Sequence, residues 1–587
     1  MLTYVFDIET NGLYAEASVI HCLVLKDVDS GAVYSCHDHG MEEGVYAALT
    51  VSMGLDMLEK ADMTIAHNGI AYDIPVIKKI TGRQLDPSMC IDTLVLSRLG
   101  RPVRPGGHSL AAWAGRLGEA PDKVENDDWS TWTPHMQERC EADVEITHQL
   151  YERLRPLLTL MPDAVATEMQ VAHLVSDMVL RGFKLDVAAA RKVLDEKLTY
   201  KEEKLKEFQS LFPPVLMPTQ TVPKVYKTAR NALNVDPGVE FTPLKVEEFT
   251  PTARQQVARR LFQKYGWKAK ILTETGLPKI DEDTLRALPY PEAREFADYL
   301  VNDKLISQID GNNGWLKYLD ANDRVHPSFN PTGANTHRSS CSRPPLQQVS
   351  TAPEMRKPWI SESGWLVGID AAGLELRCLA HYLAALDDGE YANILINGDI
   401  HAHVQSLIGF ATRDKTKNAE YGWLYGAGNS KLGQIARQDA QSGNVTIDKR
   451  ITNAKLGKAL RRNMEEGVTG LGTLVKQVQA KAHTGKLRGL DGRPLWVRSE
   501  HSALNLLLQS CGAILIKTAW SLFDLPEGAH TVMQVHDEWQ IECPTEACAI
   551  EVGQHVVECI KLAGEQLKLR CPLDGSYHIG ENWNETH

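Results

Sequence analysis

Asp370 closes the apolar run Trp365–Ile369, and Asp537 sits in His536-Asp537-Glu538, just after a second apolar run, Val532–Val535. Two carboxylates delivered by distant strands to one place repel each other and raise each other's pKa, so a reason is needed for bringing them together. Divalent cations remove the repulsion, and a pair of Mg²⁺ ions about 3.5–4 Å apart can activate a 3′-hydroxyl and stabilise a pyrophosphate leaving group. Either acid alone could simply cap a turn. Between them in sequence lie Arg413, Lys417, Tyr421 and Tyr425. At successive steps of four residues these share one side of a helix, two cations followed by two aromatic rings. That order suits a nucleoside triphosphate, with polyphosphate at the cations and sugar and base near the rings. A solvated lysine-rich helix face would show the same spacing, so the flanking acids carry the distinction. A second acidic set, Asp7, Glu9, Asp73 and Asp143, surrounds His67-Asn68-Gly69-Ile70-Ala71-Tyr72-Asp73. A lone Asp-x-Glu often does no more than end a strand; four acids around Asn-x-x-x-Tyr-Asp form a far more specific pattern.

The elements that must hold these residues can be read from periodicity. Leu2–Phe6 is a short apolar strand ending on Asp7-Ile8-Glu9, and strand and helix patterns then alternate to about Leu154, as in an α/β domain. A long charged amphipathic helix is expected over Asp186–Phe212. A proline-punctuated, loop-like region of roughly forty residues follows, with Pro213, Pro214, Pro218, Pro223, Pro237 and Pro243. Helical pattern resumes at Pro251 and runs with breaks to Leu319. Asn330–Pro358 reads as extended backbone crossing a surface. Trp365–Asp370 is a buried strand, helices fill about 374–485, and Thr531–Ile541 is a strand–turn–strand.

The 587 residues should form three or four folding units, with 43% hydrophobic and 24% charged content that is ordinary for a globular protein. No apolar run reaches membrane-span length, so no membrane association is expected. Eleven cysteines without a Cys-x-x-Cys pair argue for reduced, mostly buried thiols. The net charge of −13 is unevenly spread: residues 1–150 hold 11 Lys/Arg against 23 Asp/Glu. Residues 251–270 carry six cations (Arg254, Arg259, Arg260, Lys264, Lys268, Lys270) and no acid, and 413–462 carries 11 basic and 4 acidic residues. Such local patches supply attraction for phosphates whatever the total.

The stretch Asp370–Arg377 (DAAGLELR), the Arg413–Tyr425 helix and Val535-His536-Asp537-Glu538 resemble, in this order, motifs A, B and C of family A DNA polymerases, closest to the replicative enzymes of T-odd bacteriophages. Gly398-Asp399-Ile400-His401, Leu424–Gly428, Leu490-Asp491-Gly492-Arg493 and Leu507–Ser510 extend the likeness, which runs from the N-terminus to Trp583 and is weaker around 208–250. The resemblance implies an α/β and α+β multidomain chain: a ribonuclease-H-like 3′–5′ exonuclease domain over 1–160, then a right-hand polymerase. Its thumb would be 161–325 with a shortened tip insertion near 208–250, its palm 326–388 and 501–587, and its fingers 389–500. Asp370 and Asp537 would be the palm metal ligands, while Arg413, Lys417 and His401 would hold the triphosphate. Tyr421 would lie by the sugar, Tyr425 near the template base, and Glu375 against the 2′ position so that ribonucleotides are rejected. Arg338, Gln509 and His536 match residues that contact primer–template. Two departures stand nearby: the family's Thr-Gly-Arg is Thr336-His337-Arg338 here, and its Pro-Asn-Leu-Gln is Pro344-Pro345-Leu346-Gln347.

The N-terminal acids resemble the proofreading exonuclease set, and Cys90–Leu99 (CIDTLVLSRL) extends the match. Asp7, Glu9, Asp73 and Asp143 would hold two metals there; in both centres Mg²⁺ is implied, two per site, with Mn²⁺ able to substitute. The tyrosine that the family places four residues before its last aspartate is Arg139 here, and Glu138 stands where a sister class has its histidine. Arginine offers only donors and stays charged, so the water is expected to be positioned differently and hydrolysis slowed.

The partners implied are primer–template DNA and dNTPs, together with a processivity factor and a replicative helicase-primase. The short tip insertion, with few cations beyond Lys224, Lys227 and Arg230, does not carry thioredoxin over. No 5′-nuclease segment precedes the exonuclease acids, which points to a phage replicase working in the cytoplasm of a bacterial host. Three other readings are a nuclease with a nucleic-acid clamp, a single-subunit RNA polymerase and a single-strand-binding protein. Asp370 and Asp537 speak against the first, Glu375 and the exonuclease acids against the second, and the paired acids against the third.

Overall fold

The computed structural model describes residues 1–39, 49–119, 128–219, 224–225, 227, 236–269, 271–273, 275–448 and 450–587. Pro223, Arg230 and Lys270 therefore lie outside the described residues. The chain divides into two compact units: one of residues 1–183, 326–342 and 360–587, the other of 184–325 and 343–359. Residues 161–183, in the segment expected to begin the thumb, cluster with the first unit.

The first unit opens with a five-stranded sheet of order β3-β2-β1-β4-β5, from β1 (Thr3–Thr10), β2 (Ile20–Asp27), β3 (Val33–His37), β4 (Met63–Ala66) and β5 (Cys90–Asp92). β1 is richer in β-branched and aromatic residues than its acids suggest, and it runs past Asp7 and Glu9 rather than stopping at them. It pairs antiparallel with β2 and parallel with β4, so it is central to the sheet. Helix α1 (Asp73–Thr81) follows β4. Helix α2 (Pro134–Leu154) starts at Thr133, whose side chain accepts from Met136 N, with Pro134 preset for the first turn.

Helix α3 (Pro162–Arg181) joins two hydrophobic cores. Met161, Ala164, Val165 and Met169 belong to the core of the N-terminal sheet. Val171, Val175 and Met178 belong to the larger core that includes the second sheet. That sheet has order β7-β8-β6-β9, from β6 (Trp365–Ala371), β7 (His530–Val535), β8 (Glu538–Cys543) and β9 (Gly575–Gly580), all antiparallel neighbours. In β6, a Cβ at Gly368 would come within 2.0 Å of the Thr586 carbonyl oxygen, so only glycine admits the C-terminal segment there. The core of this sheet also takes in residues of α4 (Leu374–Leu383), α5 (Ile400–Ile408), α6 (Arg413–Leu424) and α7 (Ala503–Ser521).

Helical filling of 374–485 and the hairpin at 531–541 match the sequence expectation. The premise that no apolar run reaches membrane-span length needs amending, since Glu500–Ser521 is long and apolar enough to cross a bilayer by length and composition. Its most apolar window is 83% buried inside the protein, which accounts for the composition as that of a core helix. All eleven cysteines are free, nine of them buried.

The second unit holds the expected long helix, Val187–Leu211, and a core of Phe208, Phe212, Phe249, Phe296 and Tyr299. The stretch read as a loop contains strands: Val215–Pro218 pairs antiparallel with Leu244–Glu247, and Lys224–Val225 with Glu240–Phe241. Proline punctuation masked them because Pro218 sits at the end of its strand, where a missing N–H costs little. Asn330–Pro358 is likewise not all surface-crossing chain, since His337 and Leu346 are wholly buried.

A fully buried ionic cluster ties the first unit together. Glu168 of α3 accepts from Lys517 Nζ at 2.7 and 2.8 Å and from Arg493 Nη1 at 2.5 Å, and Thr332 Oγ1 donates to it at 2.9 Å. Arg493 also holds Asp491, with Nε to Oδ2 at 2.8 Å. Two acids and two cations cancel, and the cations pull the Glu168 carboxyl down to about 2 against the opposing effect of burial. Removing one member leaves buried charge without a counter-ion. Glu168→Ala is therefore expected to cost about 3–5 kcal/mol and to lower the thermal unfolding midpoint clearly more than Glu168→Gln; an unchanged midpoint would contradict the role given to the cluster.

Candidate active sites

Because side chains alternate along a strand, Asp7 and Glu9 leave β1 on the same face. Helix α2 packs on that strand and brings Asp143 to it. Ligand oxygens of Asp7, Glu9 and Asp143 all lie within 4.8 Å of one another. Asp73, the fourth expected acid, opens α1 outside that trio and accepts from Ile8 N at 3.3 Å, which sets it beside Asp7. Burial pushes Asp7 well up, followed by repulsion from Asp73, Asp143 and Glu9. Burial likewise lifts Asp73 to about 7. Hard oxygen donors whose ionisation is opposed in this way fit a divalent cation such as Mg²⁺.

Arg139 stands one helical turn before Asp143, with Nε 3.4 Å from Glu9 Oε1 and 3.8 Å from Asp143 Oδ2. Its guanidinium lies over the Trp129 ring at 5.1 Å. The position expected to carry a hydroxyl thus carries a cation laid against two of the acids. Two residues inside the motifs read from the sequence prove to have supporting contacts that spacing does not reveal. Tyr72 donates to the Gly12 carbonyl at 2.7 Å. Asp92 accepts from Asn68 N at 2.9 Å and Ile70 N at 3.3 Å, holding the loop that leads to Asp73.

At the second centre, β6 supplies Asp370, opposite Glu538 on one side and Ser576 on the other. Asp537 lies in the two-residue turn between β7 and β8, and its carbonyl accepts from Ala371 N at 3.1 Å. That backbone bond fixes the turn beside Asp370. His536 turns the chain with φ of 57°, a conformation that strains a side-chain-bearing residue and is held here by Gln534 Nε2, which donates to the His536 carbonyl at 2.6 Å. Burial first and the neighbouring acids second lift Asp370 to about 6 and Asp537 to about 7. Glu538, the third acid of the run, is buried and engaged, accepting from Trp583 Nε1 at 2.7 Å and Gln540 Nε2 at 2.6 Å, with His587 Nδ1 at 2.7 Å. It props the strand, leaving Asp370 and Asp537 as the pair for a divalent cation.

Glu375, in the first turn of α4, accepts from Arg338 Nη2 at 2.8 Å and from Tyr425 OH at 2.7 Å. Arg338 and His536 line one small cavity, and burial first and the Arg338 charge second hold that imidazole below its usual range. Ser339 donates to Gln534 Oε1 at 2.7 Å, so the segment carrying Arg338 is tied to the turn carrying Asp537. The residue before Arg338 explains one departure noted in the sequence: His337 occupies a left-handed conformation (φ 61°), where a glycine is otherwise favoured, and is buried against Arg493. Gln509 lies half-buried on α7; no hydrogen bond joins it to the Glu375 cluster among the described residues.

The stripe on α6 is present. The rings of Tyr421 and Tyr425 stack at 6.2 Å, Lys417 Nζ stands 6.0 Å from the Tyr421 ring, and the His401 ring lies 6.2 Å from that ring. Arg413 makes a two-pronged ion pair with Asp399, Nε–Oδ2 at 2.7 Å and Nη2–Oδ1 at 3.1 Å. Asp399 also caps α5 by accepting from His401 N and Ala402 N. Neither Asp399 nor the buried Glu420, which hydrogen-bonds His401 Nδ1, was expected from spacing.

Residues 238–585 match the model of DNA polymerase family A, and residues 4–121 that of the RNase H superfamily. The chain is 29% identical to the DNA-directed DNA polymerase of Enterobacteria phage T3 and 29% identical to that of Escherichia phage T7, in each case over 99% of this chain and 100% of the relative. It is 26% identical to the thermostable DNA polymerase I of Thermus filiformis over 90% of this chain and 58% of that protein. In fold it is similar to the POL domain of Pol1 from M. smegmatis, solved in complex with DNA primer-template and dNTP, with a TM-score of 0.73, 18% identity, and 99% and 96% of the two chains covered.

Raised carboxylates must shed protons to take a cation, so metal uptake and proton release are linked. Because Asp370 and Asp537 hold protons to about 6 and about 7, and Asp73 to about 7, Mn²⁺ affinity should fall as pH drops from about 8 to about 6. Calorimetric titration in buffers of differing ionisation enthalpy should register proton release near neutrality; affinity independent of pH over this range would refute it.

Proposed function

Because the chain belongs to DNA polymerase family A, we propose that it extends a primer 3′-end with dNTPs at Asp370 and Asp537 and trims mispaired ends at Asp7, Glu9, Asp73 and Asp143. The observation that carries this reading is the pairing of two acids whose ionisation is opposed with a cationic-aromatic helix on the same core. Mg²⁺ bound by these carboxylates would supply activation of the attacking oxygen and stabilisation of the leaving group in both centres.

The protein's own side chains would do the rest. Arg413 and Lys417 take the triphosphate, whose oxygens must displace Asp399 from Arg413, and His401 adds a contact to the phosphates. Tyr421 packs on the sugar, Tyr425 on the templating base, and Glu375, fixed by Arg338 and Tyr425, crowds the 2′ position. Arg338, Gln509 and His536 contact primer–template from the side that carries little sequence information. We assign 326–388 and 501–587 to the palm, 389–500 to the fingers and the bulk of 184–325 to the thumb. Relatives from phages T3 and T7 favour phage genome replication in a bacterial cytoplasm as the setting. A processivity factor and a helicase-primase fit that setting, and the short segment near 208–250 argues against thioredoxin as the former.

Primer extension tests the whole. The chain should lengthen a primer with dNTPs, scarcely with rNTPs, and shorten it without nucleotide. Shortening in every lane would sink the polymerase assignment. Within the same assay, Tyr421→Phe should lose incorporation of dideoxynucleotides while normal extension persists, because the hydroxyl substitutes for the contact that a 3′-deoxy sugar lacks. Equal termination by both proteins would remove Tyr421 from the sugar.

In the exonuclease centre, Arg139 supplies no hydroxyl to orient water and shares Glu9 and Asp143 with any cation, so hydrolysis is slowed. Arg139→Tyr should accelerate single-strand degradation by at least about tenfold, measured at saturating Mg²⁺. No gain would show that Arg139 does not limit the reaction.

A further inference from the structure

Glu420 is out of keeping with the exposed cations of its own helix. It lies on α6 between Lys417 and Tyr421, yet it is only 3% exposed and sits among Leu376, Leu379, Tyr391, Val404 and Trp423. Its one hydrogen-bond partner among the described residues is His401 Nδ1, across from it on α5. A carboxyl in such a place either keeps its proton and donates it to the imidazole or passes it across and faces an imidazolium. Both arrangements contain the same number of protons, and both leave a hydrogen on His401 Nε2. Remove one proton from the pair and the remaining hydrogen must sit on Nδ1, facing the carboxylate. Nε2 then presents a lone pair.

We propose that Glu420 is the positioning residue for His401, holding the imidazole so that Nε2–H faces the triphosphate, and that loss of one proton from the pair turns this donor into an acceptor and weakens nucleotide binding. The inference rests on the assignment of His401 to the phosphates made above.

The surroundings place the change near working pH. Burial, and then Asp399, push Glu420 up to about 8, while burial and then Arg413 and Lys417 hold His401 below its usual range. The proton therefore resides on the carboxyl and leaves just above neutrality. The other groups facing the pair do not titrate there. Asp399 is held near 2 by Arg413, whose own guanidinium is raised in return. Burial pushes the Tyr421 hydroxyl up to about 12 and raises that of Tyr391, on the neighbouring helix Glu390–Asn397, well above its usual range. Lys417 adds a cation on the solvent side.

The test is single-nucleotide insertion across pH with the full-length protein, reading KM for dNTP and kcat separately. Wild type should hold a constant KM up to about pH 7 and show a rise of about tenfold by about pH 9, the loss of one charge-assisted hydrogen bond. Glu420→Gln, whose amide can donate to Nδ1 at every pH, should begin at the wild-type value and stay flat; comparing the two profiles cancels ionisation of the nucleotide itself. Glu420→Leu should have a raised KM throughout with kcat little changed. A purely structural role would instead lower kcat and the unfolding midpoint and leave the alkaline rise in place. An alkaline rise preserved in Glu420→Gln overturns the proposal, as does its absence in wild type. If His401→Ala leaves KM unchanged, the phosphate assignment of His401 is what fails. If His401→Ala raises KM and Glu420→Leu does not, the positioning role fails alone. Should Glu420→Leu not fold, the Gln variant carries the decision.

Discussion

Carboxylates held together against their own repulsion are the constraint on which the two centres depend. Asp7, Glu9 and Asp143 converge because one strand and one helix pack face to face, and Asp370 and Asp537 because a backbone bond from Ala371 to Asp537 fixes a turn beside a strand. Burial first and neighbouring acids second raise Asp7, Asp73, Asp370 and Asp537, so protons are retained toward neutrality. Glu168 is as buried as any of these acids and behaves oppositely, its carboxyl pulled down by Lys517 and Arg493. The same residue type is thus divided by its surroundings. An acid whose counter-charge is built in holds the fold together, and an acid raised by burial beside other acids is a candidate place for a cation from outside.

The cations of the polymerase centre follow a complementary rule. Arg413 is held by Asp399 and Arg338 by Glu375, so both guanidinium groups are oriented before any phosphate arrives. On the reading proposed above, a triphosphate oxygen that displaces Asp399 from Arg413 trades one charge-assisted bond for another, and little side-chain entropy remains to be lost, while Arg338 keeps Glu375. In the nuclease centre the rule is inverted. Arg139 is held by Glu9 and Asp143, the residues that a cation must use, and its partners would have to be surrendered to the metal. One arginine therefore competes where the other two wait.

What could be read from the sequence was local. The strand ending in Asp370, the hairpin at Asp537 and the stripe from Arg413 to Tyr425 each depend on periodicity within a dozen residues, and each is found where expected. What escaped depends on distance. The cationic partners of Glu168 lie more than three hundred residues along the chain, and Glu420 looks like one more polar position on a charged helix until His401 is packed beneath it. Asp399 was visible inside Gly398-Asp399-Ile400-His401, but its double duty as helix cap and as holder of Arg413 requires both helices at once. Composition misled in the proline-rich stretch after Phe212, because proline at a strand end is tolerated by context that a window of sequence does not contain.

Helix α3 shows how the long-range part is enforced. Its residues Ala164, Val165, Met169 and Ala172 enter the core of the N-terminal sheet, and Val171, Val175 and Met178 enter the core of the second, with Glu168 beside the stretch where the two alternate. An apolar residue at that seam would suit either core alone. A carboxylate suits neither until Lys517 and Arg493 are both present, because only then is its charge matched and its oxygens bonded. Trp496, three residues beyond Arg493, adds a bond from its Nε1 to the Gly100 carbonyl at 2.8 Å, again linking the late part of the chain to the early one. Packing by apolar contact alone is tolerant of small shifts between the two cores; a buried charge is satisfied only when its specified partners are in place. The seam thereby fixes the register between the nuclease sheet and the segment carrying Arg338, since Thr332 and His337 of that segment bond into the same cluster.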